Sequence, residues 1–172
     1  MRLFIALEFD KDVISSLRQV QEDLRNEGLE GRFTGEGNLH LTLAFIGDYP
    51  DPDKVLKAIR QIPFGYFRIK FGDVGNFGDL YWIGIEDNPY LISYVKRLRG
   101  ALSSSDIPFD PKRFRPHITL ARKCINKNTI LSFRSKSSII CTTVNKVTLF
   151  RSDFGDNGMI YTALGEAEGE ML

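Results

Sequence analysis

Two histidines, two cysteines and one tryptophan are all that this sequence carries of its rarer side chains. The cysteines, Cys124 and Cys141, form no CxxC pair and have no Cys/His metal spacing. A disulfide framework and a thiolate zinc site are therefore disfavoured, and both are expected as free or buried thiols in a reducing compartment. No serine stands in a G-x-S-x-G turn and neither cysteine has a nucleophile motif around it. An excess of one charge is also missing. The formal net charge is +1, so contact with a polyanion must come from a local cluster. No apolar run approaches the roughly 20 residues that span a bilayer. The opening "MRLFIALEFD" lacks the long apolar stretch of a signal peptide and brings its acids early. A cytoplasmic protein is expected, monomeric and with no membrane partner.

What is present is ordinary for a globular chain. Hydrophobic residues make up 42% and charged residues 26% of 172 residues, enough for one domain over 1–172. Thirteen Phe and six Tyr point to a sheet-rich interior. "RLFIALEF" reads as a strand buried on both faces. Asp10 then caps a helix with Val13, Ile14, Leu17, Val20 and Leu24 on one stripe and Gly28 as its stop. "GLEGRFTGEGN" reads as turn. Asp51-Pro52 and Asn88-Pro89 open two further helices, the first ended by Pro63. "YFRIKFGDV" and "LYWIGIE" read as strands around the loop "GNFGD", later strands fall near 137–151 and 158–164, and 165–172 reads as a frayed tail.

Both histidines occur in one pattern. "HLTLA" at 40–44 and "HITLA" at 117–121 differ by a single Leu-for-Ile change, one copy in each half of the chain. Strand alternation puts Leu39, Leu41, Leu43 and Phe45 on one face of the first copy and His40, Thr42 and Ala44 on the other. In the second, Ile118 and Leu120 oppose His117, Thr119 and Ala121. A lone strand histidine is commonly a hydrogen-bonded structural residue and threonine is a good strand former. The pairing is what asks for a shared site. Two imidazoles and two hydroxyls around one ligand do not suit zinc, which wants three or four protein ligands. They suit acid–base catalysis by groups that titrate near neutrality. Displacement at phosphorus uses one group to take a proton from the attacker and another to protonate the leaving oxygen, while hydroxyls donate to the non-bridging oxygens. The residues alone leave open which histidine does which.

The two H-x-T-x motifs, with "RLFIALEFD", "NLHLTLAFIGD", "FRPHITLAR" and "VTLFRSDFGDNGMIY" around them, resemble the two-histidine phosphoesterase superfamily, in its RNA 2',3'-cyclic phosphodiesterase (2'-5' RNA ligase) branch, from residue 2 to about 164. The resemblance implies an α+β, bilobal fold with two antiparallel β-sheets lining a central cleft, helices on the outside, and no cofactor. It implies His40 as proton donor to the departing 3'-oxygen, His117 as proton acceptor from water, and Thr42 and Thr119 as the phosphate-binding pair, with no metal. The implied reaction is hydrolysis of RNA or nucleotide 2',3'-cyclic phosphates to 2'-phosphomonoesters, with 2'-5' joining of RNA ends as the reverse-type reaction. The partners would be RNA ends or nucleotides bearing a cyclic phosphate, tRNA halves among them. Two alternatives keep the pocket: another diester substrate (2'-5' oligoadenylate, ADP-ribose cyclic phosphate), or a nucleotide- or RNA-binding module without turnover.

This chain departs from the family in having Ala44-Phe45 where Lys-Phe is frequent after the first motif. Arg115 shares the parity of His117 and could supply the charge. Arg122 and Lys123 end the strand, with Arg122 on the opposite parity. Phe45, Phe77, Phe109 and Phe114 are candidates for stacking a base, with core packing the expectation for each.

Overall fold

The computed structural model describes residues 1–126 and 140–171. In chain order the elements are β1 (Arg2–Leu7), α1 (Lys11–Asn26), β2 (Leu29–Phe33), a 3-10 turn (Glu36–Asn38), β3 (Leu41–Asp48), α2 (Pro52–Arg60), β4 (Phe67–Phe77), β5 (Leu80–Ile85), α3 (Pro89–Ser104), β6 (His117–Asn126), β7 (Cys141–Val144), β8 (Lys146–Gly155) and β9 (Gly158–Glu168). The strands form a four-stranded sheet, β3-β1-β8-β9, and a five-stranded sheet, β2-β6-β5-β4-β7, each antiparallel throughout. The expected α+β pair of sheets is found, and each sheet carries one of the two motifs. None of the described helices is long and apolar enough to cross a membrane.

The helices start where the sequence places their caps. Asp10, Asp51 and Asn88 each accept a hydrogen bond from the amide three residues on, and proline occupies the first turn of α2 and of α3. Each such cap contributes about 1 kcal/mol. The helical stripes then enter the main core: Val13, Leu17, Val20 and Leu24 from α1, Val55 and Ile59 from α2, and Leu91, Val95, Leu98 and Leu102 from α3. One face of β1, with Leu3, Ile5 and Leu7, completes that core. The other face, Phe4 and Ala6, joins Phe150 in a smaller cluster that Phe45 and Tyr161 flank. β1 is thus buried on both sides, as its unbroken apolar run requires.

The structure differs from the sequence reading in four places. "LEGRF", read as turn, is the edge strand β2 on β6. Strand β4 runs on through the expected "GNFGD" loop to Phe77, leaving Gly78-Asp79 as a two-residue hairpin turn. The strand expected from 137 is two strands, β7 and β8, and its first three residues lie outside the described ones. The expected frayed tail is instead structured as far as Glu170. β9 extends through Glu168, Ala167 is buried, and Glu170 exchanges backbone hydrogen bonds with Phe64 and Tyr66. Gly169 lies so close to the Phe64 ring that a Cβ would come within 2.5 Å of it. A small residue at that position is what lets the last turn close.

Candidate active site

The first motif begins one residue ahead of its strand: His40 lies just before β3 and Thr42 within it, whereas His117 opens β6. Both imidazoles are anchored alike. His40 Nδ1 is 2.7 Å from the carbonyl of Asn38, and His117 Nδ1 is 2.6 Å from the carbonyl of Arg115, two residues back in each case. A carbonyl only accepts, so each Nδ1 carries the proton and donates it. The Nε2 atoms are then the working ends, a base when the ring is neutral and an acid when it is charged. In the neutral ring His40 Nε2 accepts from the Thr42 hydroxyl at 3.1 Å.

Immediately after each His-x-Thr unit the ladder slips. On β1, Ile5 faces Ala44 while Ala6 faces Thr42, so Leu43 is an extra residue in β3. On β5, Tyr81 faces Ala121 and Trp82 faces Thr119, so Leu120 is an extra residue in β6. The two bulges fall three residues after their histidines. A bulge shifts the alternation by one, and everything beyond it changes face. Leu43 and Ala44 both enter the main core, and Phe45 moves to the cleft side with Phe4. Simple alternation had put Ala44 with His40 and Phe45 with the leucines; the bulge reverses both.

The same reversal acts on Arg122. Strict alternation sets it opposite His117, but beyond the Leu120 bulge it turns to the cleft and is close enough to His40 to disfavour that ring's positive charge. Arg32 pairs with Arg122 across β2 and β6, so it shares that face. Arg32 was invisible while its segment read as a turn. Lys123 follows in a left-handed backbone conformation, φ 52°, at the second irregularity of β6.

Each bulge is braced by a helix encoded in the other half of the chain. The buried side chain of Gln21, on α1, donates from Nε2 to the Leu120 carbonyl at 3.0 Å and to the Thr34 carbonyl at 2.9 Å. The Thr34 amide also donates to Leu120. Arg99, on α3, donates to the Leu43 carbonyl at 3.3 Å and to the Lys112 carbonyl at 2.7 Å. Its guanidinium lies near the rings of Phe109 and Phe114, at 5.6 and 5.8 Å. Those two phenylalanines therefore serve Arg99 and the core, as the core-packing expectation had it. Phe77 does not: it is 43% exposed at the tip of the β4–β5 hairpin, with its ring edge-on to His117 at 5.5 Å.

The two histidines have unlike surroundings. His40 is enclosed by Phe4 and Tyr161, both with ring centres 5.0 Å away, and by Phe150 at 6.4 Å. Burial pulls its pKa from 6.5 to about 4; the Asn38 carbonyl opposes this and Arg122 reinforces it. His117 instead stands at the edge of a cavity of about 540 Å³, with Trp82 and Phe77 on one wall. The Trp82 ring lies directly on Gly75, where a Cβ would come within 2.4 Å of it. That glycine is what allows a flat indole floor here. Among the described residues, no three His, Cys, Asp or Glu side chains come together as a metal site would need. Cys124 and Cys141 are free thiols.

Two antiparallel sheets, each carrying one His-x-Thr motif, match the architecture of a two-histidine phosphoesterase. The model of the LigT-like phosphoesterase family matches residues 7–81 and 83–161, and the chain belongs to that family. It is 29% identical over 136 residues to an RNA 2',3'-cyclic phosphodiesterase of Thermotoga maritima, covering 71% of this chain and 70% of that one. Its fold is similar to the crystal structure of LigT from E. coli in the apo form, with TM-score 0.83 at 26% identity over 98% of this chain and 96% of that one. The E. coli protein complexed with 3'-AMP superposes with TM-score 0.81 at 26% identity, over 97% and 96% of the two chains.

Proposed function

We propose that this phosphoesterase is a metal-independent cyclic phosphodiesterase that opens the 2',3'-cyclic phosphates of RNA ends or nucleotides to 2'-phosphomonoesters. The observation that carries the reading is the duplicated geometry: each imidazole is locked through Nδ1–H, is followed by a threonine on the same face, and is set by a bulge three residues on. Water attacks phosphorus and gives its proton to His117 Nε2. The bond to the 3'-oxygen breaks, and His40 Nε2 protonates that oxygen. The hydroxyls of Thr42 and Thr119 donate to the non-bridging oxygens, and Arg122 balances the charge that develops there. A 5'-hydroxyl in place of water would join RNA ends through a 2'-5' bond.

With a pKa of about 4, His40 is neutral at pH 7 in the free protein, which is the wrong state for an acid. The substrate supplies the correction. An anionic phosphate favours the imidazolium and pairs with Arg122, which otherwise disfavours it, so binding and protonation of His40 are coupled. The RNA 2',3'-cyclic phosphodiesterase relatives support the substrate class, and the E. coli complex with 3'-AMP supports a nucleotide as ligand. The test is incubation with a 2',3'-cyclic mononucleotide in excess EDTA, with phosphorus NMR of the product. Turnover to the 2'-phosphate is expected. A requirement for added divalent metal, a 3'-phosphate product, or no turnover at all would sink the reading.

A further inference from the structure

The cleft is closed on the His40 side by Phe4, Phe150 and Tyr161, and open on the His117 side, where the cavity of about 540 Å³ lies within the roughly 300–1,000 Å³ of small-molecule sites. Hydrolysis at phosphorus needs room there for a water molecule and no more. We infer that this cavity is a second nucleotide subsite, which takes the base of the nucleotide adjoining the one that bears the cyclic phosphate, so that the preferred substrate is an RNA end of at least two nucleotides.

The lining offers both kinds of surface that a nucleotide needs, flat apolar and positively charged. Trp82 and the exposed Phe77 present flat aromatic surface, and Ile85 and Ile92 add apolar wall, which suits a base of any identity. Arg113 and Arg115 are exposed in the same lining, Arg115 two residues ahead of His117, and suit the phosphodiester that links the two nucleotides. Asp87 is the one carboxylate of the lining and disfavours an anion beside it. Asn88 takes no part, because its side chain caps α3 and donates to the Arg68 carbonyl. Trp82 is also the sole tryptophan of the chain, which makes the cavity report its own occupancy.

This inference rests on the proposed phosphodiesterase reading, and the experiment separates the two. Steady-state kinetics would compare a cyclic mononucleotide with a ribodinucleotide ending in a 2',3'-cyclic phosphate. Base stacking of the usual strength makes kcat/KM for the dinucleotide higher by roughly tenfold to a hundredfold. Ile92→Trp, which fills the cavity from α3, and Arg113→Gln, which removes the charge, should each bring that ratio towards one. The ratio is insensitive to how much enzyme is folded, since misfolded protein loses both substrates equally. In parallel, the dinucleotide with a 2'-phosphate should quench Trp82 fluorescence more strongly than a mononucleotide 2'-phosphate. Equal kcat/KM on the two substrates, or a ratio unmoved in both variants, overturns the subsite. If wild type hydrolyses neither substrate the phosphodiesterase reading fails, and the subsite then stands or falls on whether the dinucleotide quenches.

Discussion

His40 and His117 share a carbonyl lock, a threonine two residues on and a bulge three residues on, yet one is caged by aromatic rings and the other stands at the lip of a cavity. The backbone is duplicated and the environment is not. Acid–base catalysis at phosphorus needs that combination. In the proposed reaction, equal geometry would aim two Nε2 atoms at one phosphate, while burial of His40 lowers that ring's affinity for a proton until an anion binds. The enclosed ring holds a proton poorly, and the open one borders the cavity through which, on the proposed reading, the rest of the substrate would enter.

The largest effect should come from removing either partner. His40→Ala and His117→Ala should each lower kcat on a cyclic phosphate by about 10²–10⁴, the usual share of a positioned acid or base. The double variant should lose little more, because the two act as a unit. A single variant with near-full turnover would show that the symmetry of the pair is only structural. Thr42→Val and Thr119→Val keep shape and strand preference but remove a donor, and each should cost about 10²–10³ in kcat. Unchanged turnover would reduce the threonines to strand formers.

Arg122→Gln tests the asymmetry directly. Burial is the larger cause of the lowered His40 pKa and the guanidinium adds to it, so its removal should raise that pKa somewhat above about 4, while substrate binding weakens. With two histidines in the chain, proton NMR resolves the titration of each without assignment difficulty. An unmoved His40 titration would place Arg122 outside the cleft.

The braces should matter less. Gln21→Leu and Arg99→Met each remove a donor to a bulge carbonyl, and a small displacement of the histidine should lower kcat by about tenfold with little change in KM. A fall in melting temperature with kcat intact would mean that they hold the fold and not the site. The smallest effect concerns stability. The unfolded chain protonates His40 near 6.5, whereas the native chain resists until about 4. The native state therefore loses stability as pH falls through that window, by at most about 1.4 kcal/mol per unit, and is unaffected by this group above it. Urea melts at pH 7.5, 6 and 5 should show a shallower loss for His40→Phe than for wild type; equal slopes would mean that His40 protonates as easily folded as unfolded.

Much of this was legible in the chain. The caps at Asp10, Asp51 and Asn88 and the apolar stripes that follow them announce three helices, because capping and helical period are local properties. The repeated His-x-Thr singles out the two histidines, and the side chains before each bulge take the faces that alternation assigns. Arg122 and Phe45 are misread for one reason. A bulge is defined by the partner strand, and neither Leu43 nor Leu120 differs in kind from a regular strand leucine. Gln21 and Arg99 are hidden for another: they act over 99 and 56 positions, on carbonyls that every residue possesses. The paired tail could not be read either, since its glycines and acids suggest solvent while its order comes from the Phe64 ring and the backbone beside it.

The crossed braces tie catalysis to completion of the whole chain. α1 finishes the strand of the second histidine and α3 finishes the strand of the first, so each half of the chain carries the brace for the other's motif. A nascent or partly opened molecule, with one helix undocked, holds both histidines but braces the strand of only one. The proposed activity would then count fully folded molecules, and a fragment released by proteolysis would carry motif residues without the brace that sets them.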